Sequence, residues 1–276
     1  MLPSRPLSHL CRLALIGCTF ALGAAQAAGE SKPLKVGVIP VVANAATEIA
    51  IQQAKAQGLE VQLVEFSDWV LPNTAVADGA VDVNFFQHAP FLQLFNQKQN
   101  AQLTPIAYGY STTMGLYSKK LKKGDAVPEG ATIAIPSDPV NAARALLLLQ
   151  SAGLITLKPG VTTQATLEDI TANPKNIRIV PIEGAHAARS FDDVTASVTY
   201  ATFAKQAGIA ETDGLFFDNT DAENLRRYAI RWVTKPERAQ DPRILKFIEI
   251  YQQSPEVRAT LRKHYGELID FPWLQK

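Results

Sequence analysis

Strand and helix patterns alternate along this chain and then begin again, and that order constrains the fold more than any other feature of the sequence. Residues 34–40 alternate in polarity and are rich in β-branched side chains, and residues 44–55 follow with helical spacing. Two more strand–helix pairs come before residue 100, and a new strand pattern at residues 131–135 starts a second series. This order predicts two α/β units, each with a parallel sheet covered by helices.

Two segments are expected to join the units, as strands near residues 110–117 and 225–233. The second unit also contains a short predicted helix at residues 190–196, and the chain ends in predicted helices at residues 244–253 and 255–265. Ligands of open α/β sheets bind beyond the carboxyl ends of the strands. Two such edges would therefore face each other across a cleft.

The N-terminus has the pattern of a signal peptide. An apolar stretch at residues 13–24 follows two arginines, and residues 25–27, Ala-Gln-Ala, fit a cleavage site. Removing residues 1–27 takes away two positive charges and no acid, which changes the net charge from +1 to −1. Cys11 and Cys18 are lost with it, so the mature chain has no thiol for catalysis or metal binding, which is compatible with export to an oxidising compartment.

Two alternatives exist for this segment. Residues 15–18, Leu-Ile-Gly-Cys, resemble a bacterial lipobox, in which Cys18 would be lipidated and would anchor the protein to a membrane. The apolar run before it is shorter than the roughly 7–15 residues that a signal peptide needs. A retained membrane helix would need roughly 20 apolar residues. We therefore favour plain cleavage over lipidation, and both over a retained helix.

Composition and charge narrow the class of protein. The 276 residues are 47% hydrophobic and 19% charged, enough for a packed core, and no basic block indicates a nucleic-acid partner. His88, His186 and His264 lack metal-ligand spacing, and Ser137 lacks the flanking glycines of a hydrolase nucleophile. We therefore expect no catalytic residues and no metal or cofactor.

An aromatic run follows the third predicted strand, residues 81–85, and so lies at a carboxyl strand end. Phe86 and Phe91 flank a turn there. A place in the core and a place in a pocket wall are equally compatible with these two residues. His88, within the turn, is either a hydrogen-bonded turn residue or a ligand contact. Trp69 follows the second strand at the same sheet edge, where it either walls a pocket or packs on the next helix.

Arg144 is the only charge in an otherwise apolar helix, residues 142–151, near its start. A cation near a helix N-terminus opposes the helix dipole, so an anion is expected beside it. A ligand carboxylate would suit the bidentate geometry of arginine, and the alternative is that the guanidinium reaches solvent or a neighbouring loop. Asn141 lies three residues earlier, on the same helix face.

Nine short blocks, in a single order, resemble a known family. They are KVGV at 35–38, DWVLPN at 68–73, FQHAPFL at 86–92, YSKK at 117–120, DPVN at 138–141, RALLLLQ at 144–150, GLI at 153–155, NPKN at 173–176 and RSFDD at 189–193. With these blocks the mature sequence resembles the methionine-binding, NlpA-type lipoprotein family, the substrate-binding components of bacterial methionine ABC importers.

The resemblance implies the periplasmic binding protein fold of the second type, an α/β fold of two lobes joined by two crossover strands, with the ligand cleft between them. We assign residues 28–112 and 231–276 to lobe one and residues 113–230 to lobe two. An amino-acid ligand, an ABC permease in the inner membrane and a periplasmic location after signal cleavage are also implied. We expect a monomer.

By similarity, two sets of residues form the site. The ligand side chain would be surrounded by Trp69, Phe86, His88 and Phe91. The amino-acid head group would be held by Asn141 and Arg144.

One position departs from the family pattern. The family carries an asparagine that helps to bind the head group, and Tyr200 aligns with it, or Thr199 after a shift of one residue. A phenol is larger than an amide, and losing one polar contact to a buried head group typically costs about 1–3 kcal/mol. We therefore include Tyr200 in the site and expect it to reshape the pocket.

These features predict a periplasmic solute-binding protein that captures a small apolar amino acid and delivers it to an ABC importer. Methionine, in the L or D form, or a close derivative is the expected ligand, and a different amino-acid-like ligand is an alternative. Two other classes are also possible on this scaffold: an exported enzyme with His88 as general base, and a sensory subunit that docks on a receptor.

Overall fold

Two five-stranded β-sheets with helices packed on their faces form the framework of the described residues. The computed structural model describes residues 32–218 and 221–274, so the predicted signal peptide, residues 1–27, lies outside the described residues together with Cys18. The strands are β1 (Leu34–Val38), β2 (Val61–Glu65), β3 (Val83–His88), β4 (Thr104–Tyr108), β5 (Ser111–Thr112), β6 (Met114–Tyr117), β7 (Thr132–Pro136), β8 (Thr156–Leu157), β9 (Ile170–Ala172), β10 (Arg178–Ile182), β11 (Ala196–Tyr200), β12 (Phe216–Phe217), β13 (Ile230–Thr234) and β14 (Ile269–Asp270). The helices are α1 (Asn44–Ala56), α2 (Leu71–Ala77), α3 (Ala89–Gln99), α4 (Pro139–Ser151), α5 (Ala187–Ser190), α6 (Ala201–Gln206), α7 (Ala222–Arg227), α8 (Pro242–Gln253) and α9 (Pro255–Tyr265). Two further sheets have two strands each, β5 with β14 and β8 with β9.

The first sheet has the strand order β2-β1-β3-β13-β4. β1 pairs in parallel with β2, with Leu34 opposite Val61, and with β3, with Val36 opposite Val83. β13 pairs antiparallel with both β3 and β4. All of the side chains of β1 except that of Lys35 are buried, as expected for a strand covered by helices on both faces.

The second sheet has the strand order β10-β7-β11-β6-β12. β7 pairs in parallel with β10 and β11, and β6 runs antiparallel to β11 and β12. Each sheet therefore combines a parallel part, which follows from the strand–helix alternation of the sequence, with one antiparallel strand inserted near an edge.

The chain passes between the two sheets twice within the described residues. It leaves the first sheet after β4, runs through β5 and enters the second sheet at β6, and it returns from β12 through α7 to β13. The predicted α/β fold of two lobes is confirmed. We call the lobe that contains the first sheet the first lobe and the other the second lobe.

Two predicted elements are wrong in part. The strand predicted at residues 225–233 begins only at Ile230, because Asp221 accepts a hydrogen bond from the backbone N–H of Asn224 and starts α7 in this segment. The helix predicted at residues 190–196 is instead α5, which ends at Ser190. The N–H of Thr195 already donates to Thr132 of β7, so the chain is joining the sheet there.

Local sequence explains the position of α4, the helix that carries Asn141 and Arg144. The Asp138 carboxylate accepts a hydrogen bond from the N–H of Asn141 at 2.9 Å and caps the helix, and Pro139 occupies its first turn. Gly153, at φ +70°, follows its end. Between these signals lie good helix formers, and Leu146 is fully buried in the core of the second lobe.

No helix in the described part of the chain is both long enough and apolar enough to span a membrane.

Candidate ligand-binding site

A cavity lies where the two lobes meet. His88, the last residue of β3, and Tyr200, the last residue of β11, bring the carboxyl ends of strands from both sheets to it. The cavity is lined by Ile39, Val41, Trp69, Phe86, Gln87, His88, Phe91, Tyr110, Thr112, Asn141, Tyr200, Thr202, Phe203, Ile230 and Tyr265.

Aromatic rings form one wall of the cavity. The ring of Phe91 lies edge-on to both Trp69 and Phe86, with centroid distances of 6.2 and 6.1 Å. From the second lobe, Phe203 packs at 6.0 Å from Trp69. The sequence did not single out Phe203, although it follows the end of β11 in the same way that Phe91 follows the end of β3. These side chains offer an apolar ligand group a large contact area.

Trp69 also packs over Gly184 of the second lobe. A Cβ atom at Gly184 would lie 2.1 Å from the indole ring, so no larger residue fits there while the lobes hold this position. The close approach of backbone and ring therefore depends on glycine.

His88 links the two lobes at the polar end of the cavity. Its Nδ1 accepts a hydrogen bond from the N–H of Phe91 at 3.2 Å, so the ring proton of the neutral imidazole is on Nε2, which lies 3.0 Å from Asn141 Oδ1 and donates to it. Burial, reinforced by the nearby charge of Arg144, lowers the pKa of His88 to about 3. The side chain is therefore neutral at physiological pH.

Both polar atoms of the Asn141 side chain are hydrogen-bonded within the protein. Its Nδ2 donates to both oxygens of the Asp138 carboxylate, at 3.0 and 2.9 Å. Its Oδ1 accepts from the Tyr200 hydroxyl at 2.7 Å and from His88. Burial raises the pKa of Asp138, although the hydrogen bonds from Asn141 oppose that shift.

Arg144 lies behind this polar end and forms a buried ion pair with Asp218. Its Nε and Nη2 contact Asp218 Oδ2 at 2.6 and 2.5 Å, and the two side chains are 5% and 9% exposed. Nη1 donates to the Tyr200 hydroxyl at 3.3 Å, and the guanidinium carbon lies 3.8 Å from the centre of the Tyr228 ring. Burial acts to lower the pKa of Arg144, but Tyr200 and Asp218 outweigh it and the pKa lies above its ordinary value.

The structure brings six of the seven predicted site residues to the cavity surface. They are Trp69, Phe86, His88, Phe91, Asn141 and Tyr200. The seventh, Arg144, is one layer further back and touches Tyr200 instead of lining the cavity. Thr199, the alternative to Tyr200, is buried within β11.

Sequence reasoning missed two groups of residues around the site. Asp218, the partner of Arg144, is 74 residues away along the chain, and no local pattern marks it. A buried amide network of Asn73, Asn84 and Gln87 supports the cavity from the first lobe: Asn73 Nδ2 donates to Gln87 Oε1 at 2.8 Å and Gln87 Nε2 donates to Asn84 Oδ1 at 3.0 Å. Only the position of these amides, at the end of β3 and the start of α2, could have indicated them.

Within residues 32–218 and 221–274, no group of three or more His, Cys, Asp or Glu side chains is arranged to hold a metal ion.

Known proteins resemble this chain over nearly its whole length. D-methionine-binding lipoprotein MetQ of Escherichia coli K12 is 37% identical to it over 257 residues, which are 92% of this chain and 93% of that protein. Lipoprotein 28 of the same organism is 39% identical over 89% of both chains.

Solved structures agree with these relatives. The crystal structure of the methionine-binding protein MetQ superposes with a TM-score of 0.81 at 36% identity, covering 86% of this chain and 97% of that one. A nutrient-binding protein from Burkholderia cenocepacia bound to methionine gives 0.79 at 32% identity, covering 86% and 99%. The profile of the NlpA lipoprotein family matches residues 34–271. Sequence, fold and the position of the cavity thus agree, and the chain belongs to the NlpA lipoprotein family.

Proposed function

We propose that the mature chain is the periplasmic solute-binding subunit of an ABC importer. It captures a small apolar amino acid, methionine in the L or D form or a close derivative, and delivers it to a permease in the inner membrane. The observation that carries this proposal is the cavity between the lobes, with its aromatic wall of Trp69, Phe86 and Phe91 and its polar end at His88 and Asn141. The ligands in the names of the relatives support methionine and its derivatives as the first candidates.

Closure of the lobes around the solute follows from the contacts across the cleft. His88 bonds to Asn141 across it, and the N–H of Val42 donates to Thr202 Oγ1 at 3.2 Å. A solute enters only when these contacts open, by a hinge motion at the two connecting segments. We assign residues 28–112 and 231–276 to the first lobe and residues 113–230 to the second.

Export precedes this function. We propose cleavage of residues 1–27, or lipidation at Cys18 as the alternative, and the lipoprotein names of the relatives support a form associated with the membrane. The intact mass of the protein from membrane and soluble fractions distinguishes the two. We further propose that the subunit is a monomer without cofactor or nucleic-acid partner.

Binding without catalysis is part of the proposal. An enzyme on this scaffold would need a general base beside the ligand, and His88 is the candidate. Both of its ring nitrogens are engaged in hydrogen bonds, and burial lowers its pKa to about 3, so it is a weak base at neutral pH.

Calorimetric titration tests the proposal. The protein is first unfolded and then refolded, because unfolding releases any solute that co-purifies with it. The panel contains L- and D-methionine with their amides and methyl esters, and L-glutamate as a control with a charged side chain. We expect heat of binding with at least one methionine compound and none with glutamate. No heat with any methionine compound refutes the proposal.

Phe91→Ala tests the aromatic wall. Removing a ring that buries an apolar ligand group costs roughly 1.5–3 kcal/mol, which is about 10- to 150-fold in affinity. Gln97→Ala, on the exposed face of the same helix, serves as the matched control and should leave affinity unchanged. Equal affinities of the two variants would place the ligand elsewhere.

A further inference from the structure

The segment that follows α9, residues 266–274, lies against the first connecting segment between the lobes, and we call it the C-terminal strap. Its strand β14 pairs antiparallel with β5, and Ile269 lies opposite Thr112. β5 leads from β4 of the first sheet into β6 of the second, and Thr112 lines the cavity. A pair of such short strands is at best marginally stable in water by itself, so the pairing depends on what holds β14 in place.

The far end of the strap is fixed to the first lobe. Phe271 is buried, and the ring centre of Trp273 lies 5.0 Å from that of Phe271 and 6.1 Å from that of Tyr251 in α8. Trp273 Nε1 also donates a hydrogen bond to the backbone oxygen of Gln252 at 3.1 Å. Packing of aromatic rings contributes a large apolar contact area. The strap therefore moves with the first lobe.

The near end of the strap meets the second lobe. The backbone oxygen of His264, in the last turn of α9, accepts a hydrogen bond from Lys205 Nζ of α6 at 2.9 Å. The same ammonium lies 3.3 Å from Glu211 Oε2. A cation at the C-terminal end of a helix is favoured by the helix dipole. Lys205 thus ties the point where α9 passes into the strap to the second lobe.

Apolar packing surrounds this tie. Ala201 and Ala204 of α6 belong to the same buried cluster as Tyr265 and Phe271 of the first lobe, and Ile269 of the strap packs against that cluster. Side-chain packing and the strap therefore join the lobes here, in addition to the two connecting segments.

We propose that the C-terminal strap restrains the hinge and that Lys205, which ties it to the second lobe, holds the lobes close to the closed arrangement before a solute enters. A rotation that opens the cavity moves α6 relative to the end of α9, so it breaks the contact between Lys205 and His264. Loss of this contact therefore shifts the population of the free protein toward open arrangements. Only the effect on solute affinity rests on the proposed function.

The distance between the lobes in the free protein tests the inference. Residues 28–276 contain no cysteine, so two introduced cysteines carry the only spin labels. Gln97→Cys in the first lobe and Gln164→Cys in the second put one label on each side of the groove between the lobes, and both side chains are exposed. Double electron–electron resonance then gives the distribution of distances between the labels without solute.

Lys205→Met removes the ammonium and keeps the apolar stem, and it should shift this distribution to longer distances. Lys246→Met is the matched control, because Lys246 is an exposed lysine that pairs with Glu249 of its own helix, and it should keep the wild-type distribution. Trp273→Ala releases the far end of the strap and should act in the same direction as Lys205→Met. Since a solute binds only the competent fraction of the protein, the affinity of Lys205→Met for L-methionine should be about two- to fivefold lower.

A distribution of Lys205→Met that equals that of Lys246→Met, or lies at shorter distances, overturns the inference. A wild-type distribution in Trp273→Ala overturns the role of the strap. Both results are obtained without solute and leave the proposed function intact, whereas calorimetric silence of the wild type overturns the proposed function and leaves the distance test in force. If circular dichroism shows that Trp273→Ala does not fold, Lys205→Met decides alone, because it alters a side chain that is 32% exposed.

Discussion

Acidification should destabilise this protein through His88. The imidazole is buried and neutral, and burial, together with the charge of Arg144, lowers its pKa to about 3 from an ordinary value of 6.5. Below pH 6.5 the unfolded chain takes up a proton on this residue, whereas the folded chain does not until the pH approaches 3. The stability that His88 contributes is thus fully present above pH 6.5 and is lost as the pH falls toward the folded pKa.

The size of the effect follows from the distance between the two pKa values. Each pH unit between them changes the free energy of unfolding by about 1.36 kcal/mol. At pH 4.5 the unfolded-state pKa is about two units above the pH and the folded-state pKa is still below it. His88 alone should therefore remove about 2.7 kcal/mol of stability between pH 7.5 and pH 4.5.

Urea unfolding at both pH values, followed by circular dichroism, measures this loss. His88→Asn is the comparison, because asparagine still caps α3 by accepting from the N–H of Phe91 and does not titrate in this range. Wild-type protein should lose about 2.7 kcal/mol more than His88→Asn on acidification. His186→Asn, which replaces an exposed histidine, should retain the wild-type pH dependence. Equal losses for wild type and His88→Asn would refute the buried, neutral state of His88.

Two further substitutions test closure and packing. In Gly184→Ala the new Cβ would lie 2.1 Å from the Trp69 ring, so the lobes should close less completely. Overpacking of this kind costs about 1–3 kcal/mol, which corresponds to an affinity for the ligand roughly 5- to 150-fold lower, measured by calorimetry. The melting temperature of the variant should be nearly unchanged. A melting temperature that falls in step with affinity would contradict this reasoning. Leu146→Ala should lower the free energy of unfolding by about 2–5 kcal/mol in a urea titration, because Leu146 is fully buried in the second-lobe core, and a loss below 1 kcal/mol would mean that α4 is poorly packed.

Hydrophobic periodicity predicted most of the framework because helices and strands here bury regular faces. The helix predicted at residues 255–265 matches α9 at both ends, since Ser254 caps it and Gly266 follows it. The strand predicted at residues 225–233 is wrong in its first part, because Asp221 caps a helix, α7, in a segment whose side chains also favour a β-strand. In both cases the capping residue at the start of the helix determined where the helix begins.

The site could be predicted where its residues follow strand ends. Phe86 lies near the end of β3, and Phe91 and Trp69 lie a few residues beyond the ends of β3 and β2. A parallel sheet brings such positions to one edge. The Arg144–Asp218 pair could not be predicted in this way, because it joins segments 74 residues apart whose proximity depends on the pairing of β12 with β6. The sequence indicated that Arg144 needs an anion, and only the three-dimensional structure identifies a protein side chain that supplies it.

Tyr200 and Asp218 affect the polar end of the cavity in different ways. The Tyr200 hydroxyl donates to Asn141 and accepts from Arg144, so it bridges the two residues expected to hold a head group. Replacing Tyr200 would release Asn141 Oδ1, which is an acceptor and attracts no carboxylate, while Arg144 would remain paired. Replacing Asp218 alone frees a cation. We therefore expect the size of the pocket to depend on Tyr200 and the net charge behind its polar end to depend on the Arg144–Asp218 pair.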